Sequence, residues 1–269
     1  MRRFVGFITL LFVNLQLFSQ EVNRVVSLAP SITDNIYLVG GENKLVGCTS
    51  YCIPAINDGK EQVGSAINVN VEKIFSLRPD LVLTTGLTKP QDISALKKLG
   101  IRVEVMETPK SFDQICEQTL QIARFVGSGK NAVEIVEDAK QKVAEIKEKS
   151  KGLKPEKVLF QIGASPVFVA IKNTFLDDYI TFCNSENMAG ELTSGSMSRE
   201  SVVLKNPDVI IIAEMGGFGK EEKKVWERYS SVSAVQKKKI FLISSETSCS
   251  PSPVNFVSAL EDVYKFITQ

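Results

Sequence analysis

Glu72-Lys73-Ile74-Phe75-Ser76-Leu77-Arg78-Pro79-Asp80-Leu81-Val82-Leu83 returns 128 residues later as Glu200-Ser201-Val202-Val203-Leu204-Lys205-Asn206-Pro207-Asp208-Val209-Ile210-Ile211. Each copy reads as a helix that stops at a Pro-Asp turn and feeds an apolar strand. Glu, Pro and Asp coincide in the two copies, which predicts two pseudo-symmetric α/β lobes. Around the first copy, Arg24–Leu28, Leu45–Gly47, Leu81–Thr85 and Val103–Met106 are short β-rich runs, separated by helical spacings at Ile32–Val39, Val71–Leu77 and Ile93–Leu99. Around the second, Val158–Ile162, Val209–Ala213 and Ile240–Ile243 repeat the plan. Strand, helix, strand order predicts parallel sheets with Rossmann-like connections.

Between the halves runs Ser128–Lys151, free of Pro, with apolar residues at Ala132, Val133, Val136, Ala139, Val143 and Ile146. This is helical spacing over about 36 Å of axis. Asp138 stands four residues before Lys142 and Glu145 four before Lys149, the favourable order for helix ion pairs. A flexible linker would be short and rich in Gly or Ser, so the connection is expected to be a rigid strut, ended by Gly152 and Pro155. The expected organisation is a signal peptide over 1–20, an N-terminal lobe over 21–127, the connecting helix over 128–152 and a C-terminal lobe over 153–269. Loops at the carboxyl ends of the two sheets then face a shared cleft, where open α/β sheets bind ligands.

The 269 residues carry 32 basic and 31 acidic side chains and no His. A net charge of +1 gives no reason to expect nucleic acid as a partner. The missing His removes Ser-His-Asp and Cys-His catalysis, and every His-ligated zinc or haem site. Gly127-Ser128-Gly129-Lys130-Asn131 lacks the frame of a phosphate-binding loop, Gly216-Gly217-Phe218-Gly219 fails the dinucleotide spacing, and no Gly-x-Ser-x-Gly elbow occurs. The pair Asp177-Asp178 is expected on a solvated face. No catalytic residue and no catalytic cofactor is therefore expected.

Met1-Arg2-Arg3 followed by an apolar run to Phe18, and then by Ser19-Gln20-Glu21, has the charge pattern of a secretory signal. It predicts an exported, soluble, periplasmic mature chain. Export permits disulfides, and five Cys is an odd number. Cys116 and Cys183 fall in apolar spacing and are expected in the core. Cys48, Cys52 and Cys249 fall in turn-like sequence and are expected in cleft-facing loops. With Tyr51 they are candidate ligands for iron, a corrinoid cobalt or a bare metal ion. The other reading is one disulfide, for instance Cys48 with Cys52, plus a free thiol.

Arg24-Val25-Val26-Ser27-Leu28-Ala29-Pro30-Ser31, Leu45–Tyr51, the paired Glu-to-Pro-Asp segments and the central strut resemble the helical-backbone substrate-binding proteins of bacterial ABC importers, and among them the cobalamin-binding branch. Haem and iron-siderophore receptors are related to that branch. The resemblance implies two α/β lobes on one rigid helix, capture of a metal chelate (cobalamin or another corrinoid, or haem or an iron-siderophore), and delivery to an inner-membrane permease with its ATPase. It implies a monomer and no enzymatic activity; the readings from other classes are an exported Cys-dependent metal or redox protein and a periplasmic enzyme. Carried over by position, the cleft is lined by Pro30, Ser31, Tyr51, Cys52, Thr85 and Gly86 from the N-lobe. Gly163, Ser165, Phe168, Met215, Gly216 and the loop Glu246, Thr247, Ser248, Cys249 and Ser250 line it from the C-lobe. Glu72 and Glu200, one per lobe, are implied to meet Arg on the permease. Ala66 and Ser194 stand where cobalamin receptors place Trp, so two aromatic platforms are replaced, and the single Trp226 lies in the charged segment 221–228. Zinc and manganese receptors on the same strut depend on His, which this chain lacks.

Overall fold

The computed structural model describes residues 22–269; the segment expected to be a signal peptide lies outside them. The first sheet contains β1 (Val25–Ser27), β2 (Leu45–Cys48), β3 (Glu61–Gln62), β4 (Leu81–Thr85) and β5 (Arg102–Met106), all parallel, in the order β3-β2-β1-β4-β5. Its crossovers are α1 (Pro30–Leu38), α2 (Ile53–Asn57), α3 (Val71–Ser76) and α4 (Pro90–Lys98). Then α5 (Phe112–Val126) and α6 (Gly129–Ser150) form a hairpin, turned at Gly127 with φ 75°.

The second half holds β6 (Lys157–Gly163), β7 (Val167–Val169), α7 (Phe175–Phe182), β8 (Glu186–Asn187), β9 (Ser196–Met197), α8 (Arg199–Lys205), β10 (Val209–Glu214), α9 (Phe218–Trp226), α10 (Ser233–Gln236), β11 (Ile240–Ser244), α11 (Ser245–Ser248) and α12 (Pro253–Thr268). The sheet order is β11-β10-β6-β7-β9, with β8 beside β6. The sheet is mostly parallel, as expected, with β7 alone running antiparallel to its neighbours β6 and β9. The short β6–β7 connection, Ala164-Ser165-Pro166, is a hairpin length and cannot make a parallel crossover.

The repeat has a direct physical basis. Asp80 Oδ2 accepts the backbone N–H groups of Asn23 and Arg24 at 2.8 and 2.9 Å, and Arg24 donates from its guanidinium to Leu77 O at 2.7 Å. At the equivalent place Asp208 Oδ2 accepts Lys157 N–H at 3.1 Å, and Lys157 Nζ reaches Lys205 O at 3.4 Å. Each Pro-Asp turn thus ties off the amino end of its lobe's central strand, satisfying donors that have no ladder partner there.

The strut is anchored at both ends. Of its buried face, Ala132 packs in the N-lobe core with Ile122, Ala123 and Val126 of α5, while Val136, Ala139, Val143 and Ile146 pack in the C-lobe core. Helix α5 does the same in reverse, with Phe112, Ile115 and Cys116 in the C-lobe core. Asp138–Lys142 closes at 2.8 Å on the outer face. The pair Asp177-Asp178 is half-buried and not on the expected solvated face. Asp178 caps the start of α5 by accepting Phe112 N–H at 2.7 Å, and Asp177 accepts Asn187 Nδ2 at 2.7 Å. Trp226 is fully buried: its indole N–H donates to Gln161 Oε1 at 2.7 Å, and the Arg199 guanidinium covers its ring while bonding Glu222.

This packing makes the two faces of the strut unequal. Ile146→Ala is expected to lower unfolding free energy by about 2–5 kcal/mol, whereas Val133→Ala, on the exposed face, should stay within about 0.5 kcal/mol. Urea denaturation of the two variants checks this.

Candidate functional site

Within each sheet the parallel strands present their carboxyl ends to one side, and the loops that leave them hold most of the residues singled out in the sequence. In the first sheet the central strand β1 pairs with β2 on one edge and β4 on the other, so chain connections leave it in opposite directions. The crevice at such a switch point is where α/β sheets take ligands. Pro30 and Ser31 follow β1 as the first two residues of α1; Tyr51 follows β2; Thr85 ends β4 and Gly86 follows it. In the second lobe Gly163 ends β6, Met215 and Gly216 follow β10, and Glu246–Ser250 follow β11. Ser165 is exposed in the β6–β7 connection. Phe168 lies on β7 and folds back against Gly163, where a Cβ would stand only 2.7 Å from its ring.

Large apolar side chains stand uncovered around this rim. Tyr51 is 71% exposed, Met215 69%, Leu87 64%, Ile67 54% and Phe168 44%. Tyr51, Ile67 and Leu87 come from the first lobe and Phe168 and Met215 from the second; four lie on segments that follow strands, and Phe168 lies on β7 opposite Gly163, the last residue of β6. Gly216 and Gly217 both take positive φ (61° and 94°), which turns the chain sharply into α9. Glu214 caps that helix by accepting Gly217 N–H and Lys220 N–H. The Gly-rich stretch is a turn with a carboxylate cap and has no phosphate cradle. Ala66 is half-buried, with its carbonyl accepting Thr88 Oγ1 at 3.0 Å, and Ser194 is exposed.

Two of the expected cleft cysteines are elsewhere. Cys48 and Cys52 are fully buried in the N-lobe core, because Cys48 is the inward-facing last residue of β2 and Cys52 closes the following turn back under it. Hydrogen bonds from the Cys48 thiol, and from the hydroxyls of Thr33 and Thr49, hold Cys52 below the usual thiol range against the opposing effect of burial. Cys48 is pushed up by the same pairing. Cys249 alone is exposed; Ser248 beside it is buried, its hydroxyl donating to Ser244 O at 2.8 Å. Among the described residues no three His, Cys, Asp or Glu side chains gather to hold a metal ion. The constellation of Cys48, Cys52 and Cys249 with Tyr51 is therefore not brought together as a metal site.

The seam between the lobes rests on polar residues that the sequence reading missed. Asn35, buried in α1, donates to Ser31 O at 2.8 Å and to Pro251 O at 2.9 Å, and accepts Thr119 Oγ1 at 2.6 Å. Beside it Asp34 accepts Ser250 Oγ at 2.9 Å. The signal was an amide set between Ile32 and Ile36 on the inward face of a short helix, where Asn is unfavourable unless it has partners. Burial raises the Asp34 pKa, the Ser250 hydrogen bond opposes this, and the charge of Glu246 adds to it.

Residues 25–247 match the family described as periplasmic binding protein, and the chain belongs to that family. It is thereby a substrate-binding protein of the kind that serves ABC transporters, which bind and do not catalyse. An ABC transporter substrate-binding lipoprotein of Bacillus subtilis, itself uncharacterized, is 29% identical over 259 residues, covering 91% of this chain and 81% of the relative. A vitamin B12-binding protein of Yersinia pseudotuberculosis is 30% identical over 210 residues, covering 77% and 75%. The fold is shared with the periplasmic vitamin B12-binding protein of Vibrio cholerae (TM-score 0.79, 22% identity, 92% of this chain and 97% of that one). It is shared equally with the periplasmic haem-binding protein of the same organism (TM-score 0.80, 20% identity, 91% and 99%). No described helix is long and apolar enough to cross a membrane.

The Asp34 environment sets a pH dependence. A folded-state pKa above the unfolded one means the folded chain holds that proton more tightly, so the associated stability is complete below the unfolded carboxylate range and is lost as pH rises through the folded pKa. Asp34→Asn is expected to gain melting temperature relative to the native chain near neutral pH, and the gain should shrink as pH falls through the carboxylate range. Thermal melts across pH check it.

Proposed function

We propose that the protein is a periplasmic receptor that captures a corrinoid, cobalamin or a relative, between its lobes and delivers it as a monomer to an ABC permease and its ATPase. The observation that carries this reading is the uncovered apolar rim of Tyr51, Ile67, Leu87, Phe168 and Met215. A group of exposed large apolar residues beside strand ends suits a binding surface, and residues from two lobes suit a broad, flat ligand gripped on both faces. The 30% identity to a vitamin B12-binding protein supports the same ligand class. With Ala66 and Ser194 in place of Trp platforms, stacking contact falls chiefly to Tyr51 and Phe168. Haem or an iron-siderophore is the second reading, favoured by the equal likeness of fold to a haem-binding protein.

Titration with cyanocobalamin and with haemin, followed by visible absorption and calorimetry, tests the reading. Saturable cyanocobalamin binding supports it; haemin binding without cyanocobalamin binding replaces it with the second; binding of neither overturns both. Tyr51→Ala should weaken the bound ligand by about 1–3 kcal/mol, roughly 5- to 150-fold. Tyr51→Phe should bind as the native chain does if the ring acts by packing; a loss as large as that of Tyr51→Ala would assign the role to the hydroxyl.

The transporter-facing surface is proposed at Glu72 and Glu200. Both carboxylates are exposed in the first turns of α3 and α8, the paired helices of the repeat. Neither is needed as the N-cap, because Asn70 and Ser198 fill that position with side-chain hydrogen bonds. The Glu200 pKa is lowered by hydrogen bonds from its own amide and from Ser198, so it carries full charge at neutral pH. Exposed Phe75 and Leu204 on the same two helices add apolar contact. In Glu72→Ala/Glu200→Ala, transporter association should fall, more at low salt, with ligand affinity and melting temperature retained. Undiminished association in the double variant would remove this surface from the proposal.

A further inference from the structure

We propose that Cys48 and Cys52 are a site of reversible disulfide formation, a modification that staples the turn carrying Tyr51. Three residues separate them, and the intervening chain is already folded back on itself, with Cys52 N–H donating to Thr49 O at 3.1 Å. Both side chains are fully buried in one core cluster, and the hydroxyl of Thr49, in the turn between them, lies 3.1 Å from Cys52 Sγ. The pairing is selective. Cys116 and Cys183 belong to the core of the other lobe, and Cys249 is exposed on the loop after α11.

The chemistry has a direction. The hydroxyls of Thr33 and Thr49 lie 3.0 and 3.1 Å from Cys52 Sγ. These two hydroxyls can direct polar hydrogens at that sulfur and support negative charge there, and the thiolate is the nucleophile in disulfide exchange. Against a small-molecule disulfide, Cys52 attacks first, forming a mixed disulfide and expelling one thiolate. Cys48 then gives up its proton and displaces the second, forming the internal S–S bond. Two protein thiols are oxidised, one external disulfide is reduced to two thiols, and a dithiol reductant reverses both steps.

Access comes through the turn itself. Ser50, Tyr51 and Ile53 are exposed, so the segment covering the sulfurs is a short surface turn that opens locally without unfolding the sheet. Once the bond forms, residues 49–51 are closed into a small ring and Tyr51 loses much of its freedom to move. The inference is independent of what the cleft carries.

Trypsin cuts after Lys44 and Lys60 and isolates both cysteines on one fragment with no other cysteine. The native chain is equilibrated with oxidised glutathione, quenched in acid, unfolded, treated with N-ethylmaleimide and digested. The expected fragment carries no maleimide and has lost two hydrogens, and dithiothreitol before alkylation restores two maleimides. In Cys48→Ala the reaction should stop at the first step, leaving one glutathione on Cys52. The native chain decides the matter whether or not that variant folds. Two maleimides on the fragment after glutathione treatment, a stable glutathione adduct in place of the internal bond, or a bond from either cysteine to Cys116, Cys183 or Cys249, would each overturn the proposal.

Discussion

The architecture depends on one packing constraint: the buried stripe of α6 is divided between two cores. Ala132 belongs to the first lobe and Val136 through Ile146 to the second, and α5 crosses back with its own stripe divided in the opposite sense. Protein interiors are packed to near-crystalline density, so neither helix can rotate out of one core without disturbing the other. The lobes therefore cannot swing about a loop in the manner of hinge proteins. Their separation is set by a helical hairpin, and the width of the cleft is largely fixed before any ligand arrives.

The seam adds polar specificity to that constraint. Asn35 reaches α5 through Thr119 and the second lobe through Pro251, while Asp34 takes Ser250. Phe112 spans the same boundary, its amide held by Asp178 and its ring 4.6 Å from that of Phe256. Buried hydrogen bonds of this kind specify one docking arrangement because any other leaves donors and acceptors unpaired. The two lobes are consequently held in one defined arrangement.

The long regular elements were legible in the sequence because their signals are local. The parallel strands betrayed themselves as continuous apolar runs, the strut by its helical spacing, and the lobes by the repeated Pro-Asp turn. Short strands carried no such signal: β8 and β9 are two residues each, and β7 is antiparallel only because its connection is too short for a crossover. Of the site, loop positions were readable because they follow strand ends, but the direction of each side chain was not. Thr49-Ser50-Tyr51-Cys52 is a turn in sequence and in structure, yet it exposes Tyr51 and buries Cys52. Residue spacing cannot separate those outcomes where periodicity is lost. Likewise Trp226 lies in a charged stretch whose Lys220, Glu221 and Lys224 are exposed while Glu222 and the indole turn inward to Gln161.

Asp80 and Asp208 fasten each sheet at the amino ends of its central strand, the end remote from the cleft. The division of labour has an evolutionary consequence. These clamps are physically separate from the carboxyl-end loops, so mutations accumulating there leave them intact, with Ser250 and Pro251, which also hold the seam, as the exception. A lineage can exchange a side chain in one of these loops, or lengthen a loop, and test a new chemical cargo while the frame stays as it was. Diversification of specificity is then gradual, proceeding one loop at a time through folded intermediates.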